Sequence, residues 1–321
     1  MRALFALVFA VLMAFASDIS IATYNVQNLF DCKDDGSEYS DFKSNTSKWD
    51  CEAASSKLKR TRQVIDAINT DIIALEEVEN EQVLRALVDG SEYKFIAFSK
   101  AKNSPVGLAL VSKIKPSGSE IFEVPNVKTR NILKVVFEVE GKKFSVFVNH
   151  FPAYKNGINM QKKAERTLRA ALIDEQNAIV LGDFNSPYGQ KSILNDIIAT
   201  RGFYDLYSFL APKDRYSHAV HGKKRAIDHV LLSPSFMANG DLSYVDGSFE
   251  VFKPSFVVDE HGFAKSDLYS DHFALKFKIS TKPSPARPRA APRAATPAVD
   301  CSPVFGNSRP LGFSGVGGVG G

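Results

Sequence analysis

From Asp18 to about Ser280, short apolar runs alternate with amphipathic stretches. ISIATYNV, starting at Ile19, predicts a first strand. Over Lys57–Asn69, Leu58, Val64, Ile65 and Ile68 fall at helical spacing with a basic opposite face, which predicts a helix. DIIALEEV reads as a buried strand and is followed by a short helix near Glu81–Val88. Further strands are predicted at YKFIAFS, GLALVSK, ILKVVFEVE and KFSVFVNH, the last two joined as a hairpin by Glu140-Gly141-Lys142. A helix over Met160–Asp174, a strand at AIVLGDF, a short helix over Ser192–Thr200, and strands at RAIDHVLLS and HFALKFKIS complete the set. Strands outnumber helices and include hairpins. Two packed sheets flanked by helices, an α/β (α+β) architecture, therefore fit better than a doubly wound parallel sheet.

The two ends of the chain depart from this pattern. Met1-Arg2, the apolar run Leu4–Phe15 and Ala14-Phe15-Ala16 have the form of a signal peptide spanning 1–16, cleaved to leave Ser17 first. That run is shorter than the roughly 20 apolar residues of a transmembrane helix, and no later stretch qualifies. The expectation is an exported protein, secreted or periplasmic, with no span in the mature chain; an uncleaved anchor is the alternative. The domain is placed at 17–280. The remainder, 281–321, is rich in Pro, Ala, Arg and Gly and is expected to be disordered. Cys32 and Cys51 bracket a polar stretch with little apolar content of its own. A disulfide there would staple it, two free thiols being the alternative, and Cys301 is left over.

Charge narrows the choice of partner. The net charge is +4, and from Thr281 onward five basic residues stand against Asp300 alone, so the whole excess lies in the tail. The domain as a whole carries no polyanion-binding charge, and any basic patch must be local.

Polar residues recur where apolar runs end: Asn25 after IATY, Glu77 after IIALE, His150 after FSVFVN, Asp183 and Asn185 around IVLG, Asp228 in RAIDHVLL, and Asp271-His272 before the last strand. Strand ends are where a rigid scaffold presents functional groups. Any one of these residues is most simply a turn former. Together they supply carboxylates, amides and imidazoles suited to holding a hard cation and activating water.

The order NVQNLFD, LEEVEN, VNHFPA, LGDFNS, IDHVLLS, SDHFAL resembles the endonuclease/exonuclease/phosphatase superfamily, typified by deoxyribonuclease I and exonuclease III, over about Ile19–Phe277. The NVQNLF, E-V-E-N and V-N-H-F-P segments look closest to secreted bacterial nucleases. The resemblance implies a four-layer α/β sandwich with its site at one edge of two central sheets. It also implies Mg²⁺, with Mn²⁺ or Ca²⁺ as alternatives, held by Asn25, Glu77 and Asp271. Asp183 would activate water, Asn185 would hold it, His272 oriented by Asp228 would stabilise the transition state, and His150 would protonate the leaving oxygen. No carboxylate partner for His150 is identified.

Where the family has Gln then Glu, this chain has Glu76-Glu77. Strand alternation puts the two on opposite faces, and Glu76 is expected to add negative charge without binding metal. Arg130, Lys155 and Lys224 are candidate phosphate contacts; for Lys224, in the Lys223-Lys224-Arg225 run, a solvated turn is equally open. His229 is read as a strand residue, and His218, His221 and His261 as solvated. The Asn45-Thr46-Ser47 sequon is a common chance match.

The expected function is a secreted, monomeric, Mg²⁺-dependent nuclease contacting DNA, or RNA as well, mainly through phosphates. A phosphoinositide phosphatase or sphingomyelinase-type lipid phosphodiesterase is the second reading. A degenerate binding protein is the third.

Overall fold

The structure, a computed structural model, describes residues 17–44, 48–153, 157–238 and 240–282. The predicted leader, the sequon, Lys155, Cys301 and the tail beyond 282 lie outside them. The strands in chain order are β1 (Asp18–Leu29), β2 (Ile72–Val78), β3 (Phe95–Ser99), β4 (Gly107–Ser112), β5 (Gly118–Phe122), β6 (Ile132–Val139), β7 (Lys142–His150), β8 (Ala178–Asp183), β9 (Tyr204–Asp205), β10 (His218–Val220), β11 (Lys223–Arg225), β12 (Asp228–Leu232), β13 (Ser243–Tyr244), β14 (Glu250–Phe252) and β15 (Ala274–Ser280). The helices are α1 (Cys51–Ile68), α2 (Glu81–Val88), α3 (Ile158–Ala171) and α4 (Asn195–Arg201).

One mixed sheet runs β13-β15-β1-β2-β4-β3, with β14 also paired to β15; the other runs β5-β6-β7-β8-β12-β9. Alternation explains how they pack. Ile19 and Ile21 of β1 and Ile72 and Ala74 of β2 face Val146 and Val148 of β7, Ile179 and Leu181 of β8, and Val230 and Leu232 of β12 in the central core. The opposite face of the first sheet, with Ala22, Tyr24, Ile73 and Leu75, packs on Val64, Ile65 and Ile68 of α1 and Leu84 and Leu87 of α2. Phe147, Val180 and Leu231 of the second sheet pack on Ala164 and Leu168 of α3 and Ile197 of α4. The result is the expected four-layer sandwich.

Several boundaries differ from expectation. α1 begins at Cys51, six residues before the predicted start, because Asp50 caps it by accepting from the Ala53 N–H at 2.8 Å. Cys51 in its first turn is bonded to Cys32, with Cα atoms 4.9 Å apart. The predicted hairpin is present, with Glu140 and Gly141 both at positive φ (53° and 75°), the pattern of a tight type I′ turn. β5, β9, β10, β11, β13 and β14 were not predicted. Most have only two or three residues, too few for alternation to be read.

No helix among the described residues is long and apolar enough to cross a membrane.

Candidate active site

Continuing the inward-facing positions along each strand leads to one polar group at the edge of the two sheets. In β1 the inward series Ile19, Ile21, Thr23 ends at Asn25. In β8 it runs through Ile179 and Leu181 to Asp183, and in β7 through Val146 and Val148 to His150. Asp228 begins the inward series of β12. Strand register then sets neighbours: His150 lies opposite Asp183 in the parallel β7–β8 pair, and Asp228 opposite Asp183 in the antiparallel β8–β12 pair. Gly182 makes this approach possible. Its φ is +127°, and a Cβ there would lie 2.0 Å from the Asn149 carbonyl oxygen, so no other residue fits.

Asp183 is the hub. Its Oδ2 accepts from Asn25 Nδ2 at 3.1 Å and Asn185 Nδ2 at 3.3 Å, and lies 3.5 Å from His150 Nε2 and 3.9 Å from His272 Nε2. Its Oδ1 accepts the Asn185 N–H at 2.8 Å. Burial first, then the nearby Asp228 charge, pushes the Asp183 carboxyl up to about 7.

His272 Nδ1 sits 2.8 and 3.0 Å from the two Asp228 oxygens. Burial disfavours a charged ring, but Asp228 and Asp271 outweigh it and hold His272 well above the ordinary histidine range. Asp271 is pulled the other way: burial would raise it, yet His272 and His218 bring it down to about 2. His150 is driven well below the ordinary range by burial, with the Arg130 and His272 charges adding to the effect. Its Nδ1 is buried without a hydrogen-bond partner among the described residues, and none of their carboxylates orients it from that side.

Glu77 reaches the group by a route that alternation does not supply. A regular β2 would carry Glu76 inward beside Thr23 and send Glu77 outward. Instead the ladder slips between Glu76 and Val78, and Glu77 adopts a left-handed φ of 67°. Its carboxylate then accepts from Asn25 Nδ2 at 3.3 Å and from the Asn28 N–H at 3.0 Å, and lies 3.8 Å from His150 Nε2. The opposite-face argument thus does not account for how Glu77 reaches this group. Glu76 is fully buried and accepts from Thr23 Oγ1 at 2.7 Å. Burial raises its pKa well above the carboxylate range, which works against the negative charge expected of it from the sequence.

The remaining candidates divide. Asp271 lies 3.8 Å from His272 Nε2, and its N–H donates to Gln27 Oε1 at 3.0 Å, which ties it to the end of β1. Arg130 is half-buried and acts on both His150 and Tyr39. Lys224 is exposed on β11 with Nζ over the Tyr216 and Phe263 rings at 4.8 and 5.1 Å, so its head group packs on aromatics.

Two residues near the site were misread. His218 is not solvated: its Nε2 lies 3.5 Å from Asp271 Oδ2, and its ring meets His272 edge-on at 4.9 Å. No periodic signal marks it, because the β10–β11 hairpin delivers it. Lys57 is buried rather than part of a basic outer face, donates to the Tyr269 carbonyl, and senses Glu77 and Asp271; burial lowers it to about 8. Its place on the stripe with Thr61, Val64, Ile65 and Ile68 was the available clue.

The donor set suits a hard divalent cation: Glu77 and Asp271 offer carboxylate oxygens, and Asn25 an amide that presents oxygen after a half-turn. Carboxylate and histidine atoms also converge within 4.8 Å in two overlapping groups, Asp183–Asp228–His272 and His218–Asp271–His272. A cation at this edge would offset the Asp228 charge that, after burial, pushes Asp183 up.

The profile of the endonuclease/exonuclease/phosphatase family matches residues 20–275. No curated protein matches by sequence. Among solved structures, zebrafish (D. rerio) TDP2 complexed with a single-strand DNA product superposes with TM-score 0.59 at 15% identity, covering 82% of this chain and 99% of that one. The human Nocturnin catalytic domain gives 0.57 at 17%, covering 82% and 94%. A mannosyl-6-phosphatase of Bacteroides thetaiotaomicron gives 0.58 at 15%, covering 81% and 99%. At such identities these likenesses establish the fold alone.

Proposed function

The chain belongs to the endonuclease/exonuclease/phosphatase family, and on that premise we propose that it is a secreted, Mg²⁺-dependent phosphodiesterase that hydrolyses nucleic acid, DNA foremost. One observation carries the reading: a buried carboxylate, Asp183, faces His272 at 3.9 Å while Asp228 braces the far side of the imidazole. That pairing gives a base for water and a charged donor for a phosphoryl oxygen on one edge.

Asp183 takes the proton of the attacking water as the water oxygen bonds to phosphorus, and Asn185 holds that carboxylate in place. His272, kept charged and in one orientation by Asp228, donates through Nε2 to a non-bridging oxygen. His150 takes up a proton when the anionic phosphate binds beside it, and the imidazolium so formed donates through Nε2 the proton that the departing ester oxygen takes as its bond to phosphorus breaks. Asn25, Glu77 and Asp271 would hold Mg²⁺, which when bound neutralises charge on the phosphate. Arg130, whose charge acts on His150, is the proposed contact for a flanking phosphate, and Lys224, on the hairpin that carries His218, is a second candidate.

The pairing of Asp18 with Ser280, and the Ser17 N–H donated to Thr281 Oγ1 at 2.9 Å, support a mature domain running from Ser17 to about Ser280 after leader removal.

The test is to incubate purified protein with plasmid, single-stranded DNA, RNA and lipid phosphodiesters, with Mg²⁺ or EDTA, beside Asp183→Ala. Mg²⁺-dependent cleavage of DNA that Asp183→Ala loses by about 10²–10⁴-fold is expected. Turnover of lipid but not of nucleic acid would transfer the chemistry to a lipid phosphodiesterase. Full activity in Asp183→Ala would reject the assignment of the site.

A further inference from the structure

Beyond β2 the chain carries a second group of carboxylates that the proposed reaction does not use. Asp35, Glu38 and Glu79 each bring a carboxylate oxygen within 4.8 Å of the others. Asp35 and Glu38 belong to the loop following β1, which the Cys32–Cys51 disulfide closes; Glu79 directly follows β2. Acidic clusters on surfaces are common and mean little in themselves. Glu79 is different, because it is fully buried and one of its oxygens is not satisfied. Oε2 accepts the Asp31 N–H at 2.7 Å, while Oε1 is sealed from solvent without a hydrogen-bond partner among the described residues. An ionised oxygen left so costs free energy unless a cation completes it.

The neighbours are already arranged as ligands. Glu38, also buried, accepts the Asp35 and Gly36 N–H groups, and Asp35 Oδ1 accepts the Ser37 N–H at 2.8 Å. These bonds fix the carboxylates without neutralising them. Lys100 lies nearby, with Nζ 3.4 Å from Asp35 Oδ2 and 2.9 Å from Ser37 Oγ. One ammonium at that distance balances one of three carboxylates.

We propose that Asp35, Glu38 and Glu79 form a Ca²⁺ site that locks the disulfide-closed loop onto the end of β2. Ca²⁺ fits this set of three carboxylates better than Mg²⁺. Ca²⁺ accepts several carboxylates in irregular geometry, whereas Mg²⁺ favours one or two and keeps its waters. The site is separate from the catalytic one and holds whether or not the nuclease reading does. Its position two residues beyond Glu77 gives it a physical path to the left-handed turn that aims that carboxylate.

The loop carries its own reporter. Trp49 is the sole tryptophan of the chain; its Nε1 donates to the Asp31 carbonyl at 2.7 Å, and its ring meets Phe42 at 4.8 Å. Purified mature protein in saturating Mg²⁺, which fills the catalytic edge, is titrated with Ca²⁺ while Trp49 emission is followed. A saturable change with half-effect at about 10⁻⁵–10⁻³ M is expected. At about a hundredfold excess over that value the Tm should rise by about 5–10 °C. Both responses should vanish in Glu79→Gln and weaken at least tenfold in Asp35→Asn, whose side chain is exposed and whose loss does not threaten folding. Asp183→Ala should retain them, since its lesion is elsewhere. No Ca²⁺ response in the wild-type protein would overturn the site and leave Lys100 as the cluster's counter-charge. A response that survives in both Glu79→Gln and Asp35→Asn would place the ion elsewhere and overturn it equally.

Discussion

β12 begins with Asp228 and His229, and each is half of a buried histidine–carboxylate pair. The two pairs share their chemistry and differ in their surroundings. His229 points to the outer face, where Nδ1 meets Asp205 at 2.7 Å and Nε2 meets the Ser186 carbonyl at 2.8 Å. Both ring nitrogens are satisfied, and the ring ties the segment after Asn185 to the sheet. Asp228 points inward and holds only Nδ1 of His272, whose Nε2 faces Asp183 and Asp271 at 3.9 and 3.8 Å, beyond hydrogen-bond range. A nitrogen with charge but no protein partner can act on a substrate, while a nitrogen committed to a carbonyl cannot. The pair is structural or chemical according to the face of the sheet it occupies.

Breaking the inward pair should have the larger effect. Asp228→Asn is expected to lower kcat by about 10²–10⁴-fold with the fold intact by circular dichroism, because His272 loses both its charge and its orientation. A rate within threefold of wild type would show that the pair is not chemical.

Breaking the outward pair should instead unfold the protein more readily. Asp205→Ala leaves His229 buried without its carboxylate, and a loss of about 3–5 kcal/mol in urea melts is expected, with kcat kept within about tenfold below the Tm. This loss should depend on pH. Burial opposes the charged ring, but Asp205 and the Ser186 carbonyl raise the His229 pKa above its unfolded value. The folded state therefore holds more protons, and the pair's contribution is full below about pH 6.5 and lost as pH rises through the folded-state pKa. The gap between wild type and Asp205→Ala should narrow accordingly; a gap that widens above neutrality would refute the charged pairing.

The smallest effect is expected at His218, which touches both Asp271 and the His272 ring. His218→Phe keeps a ring against His272 and removes the nitrogen near Asp271, so a fall in kcat/KM of roughly tenfold is expected. No change in initial rates would leave His218 a packing residue.

Much of this arrangement was legible in the chain. Asn25, His150, Asp183 and Asp228 end or begin apolar strands, and a regular pleat carries the inward series of hydrophobic residues directly into them. What was not legible shares one cause: it depends on breaks in regularity or on contacts distant in sequence. Glu77 arrives through a slipped ladder and a left-handed residue. His218 arrives on a three-residue strand.

By itself, the sequence determined the layers, the apolar faces, the strand-end position of the polar groups and the confinement of excess positive charge to the tail. Those properties follow from periodicity and composition, which are local. Tertiary structure alone decided which carboxylates are ionised, because ionisation depends on burial and neighbours. Burial pushes Glu76 well above the carboxylate range beneath the site, Lys57 is sealed against a carbonyl 212 residues away, and Glu79 is enclosed with an unsatisfied oxygen. No pattern along the chain encodes the dielectric around a side chain; only the packed fold sets it.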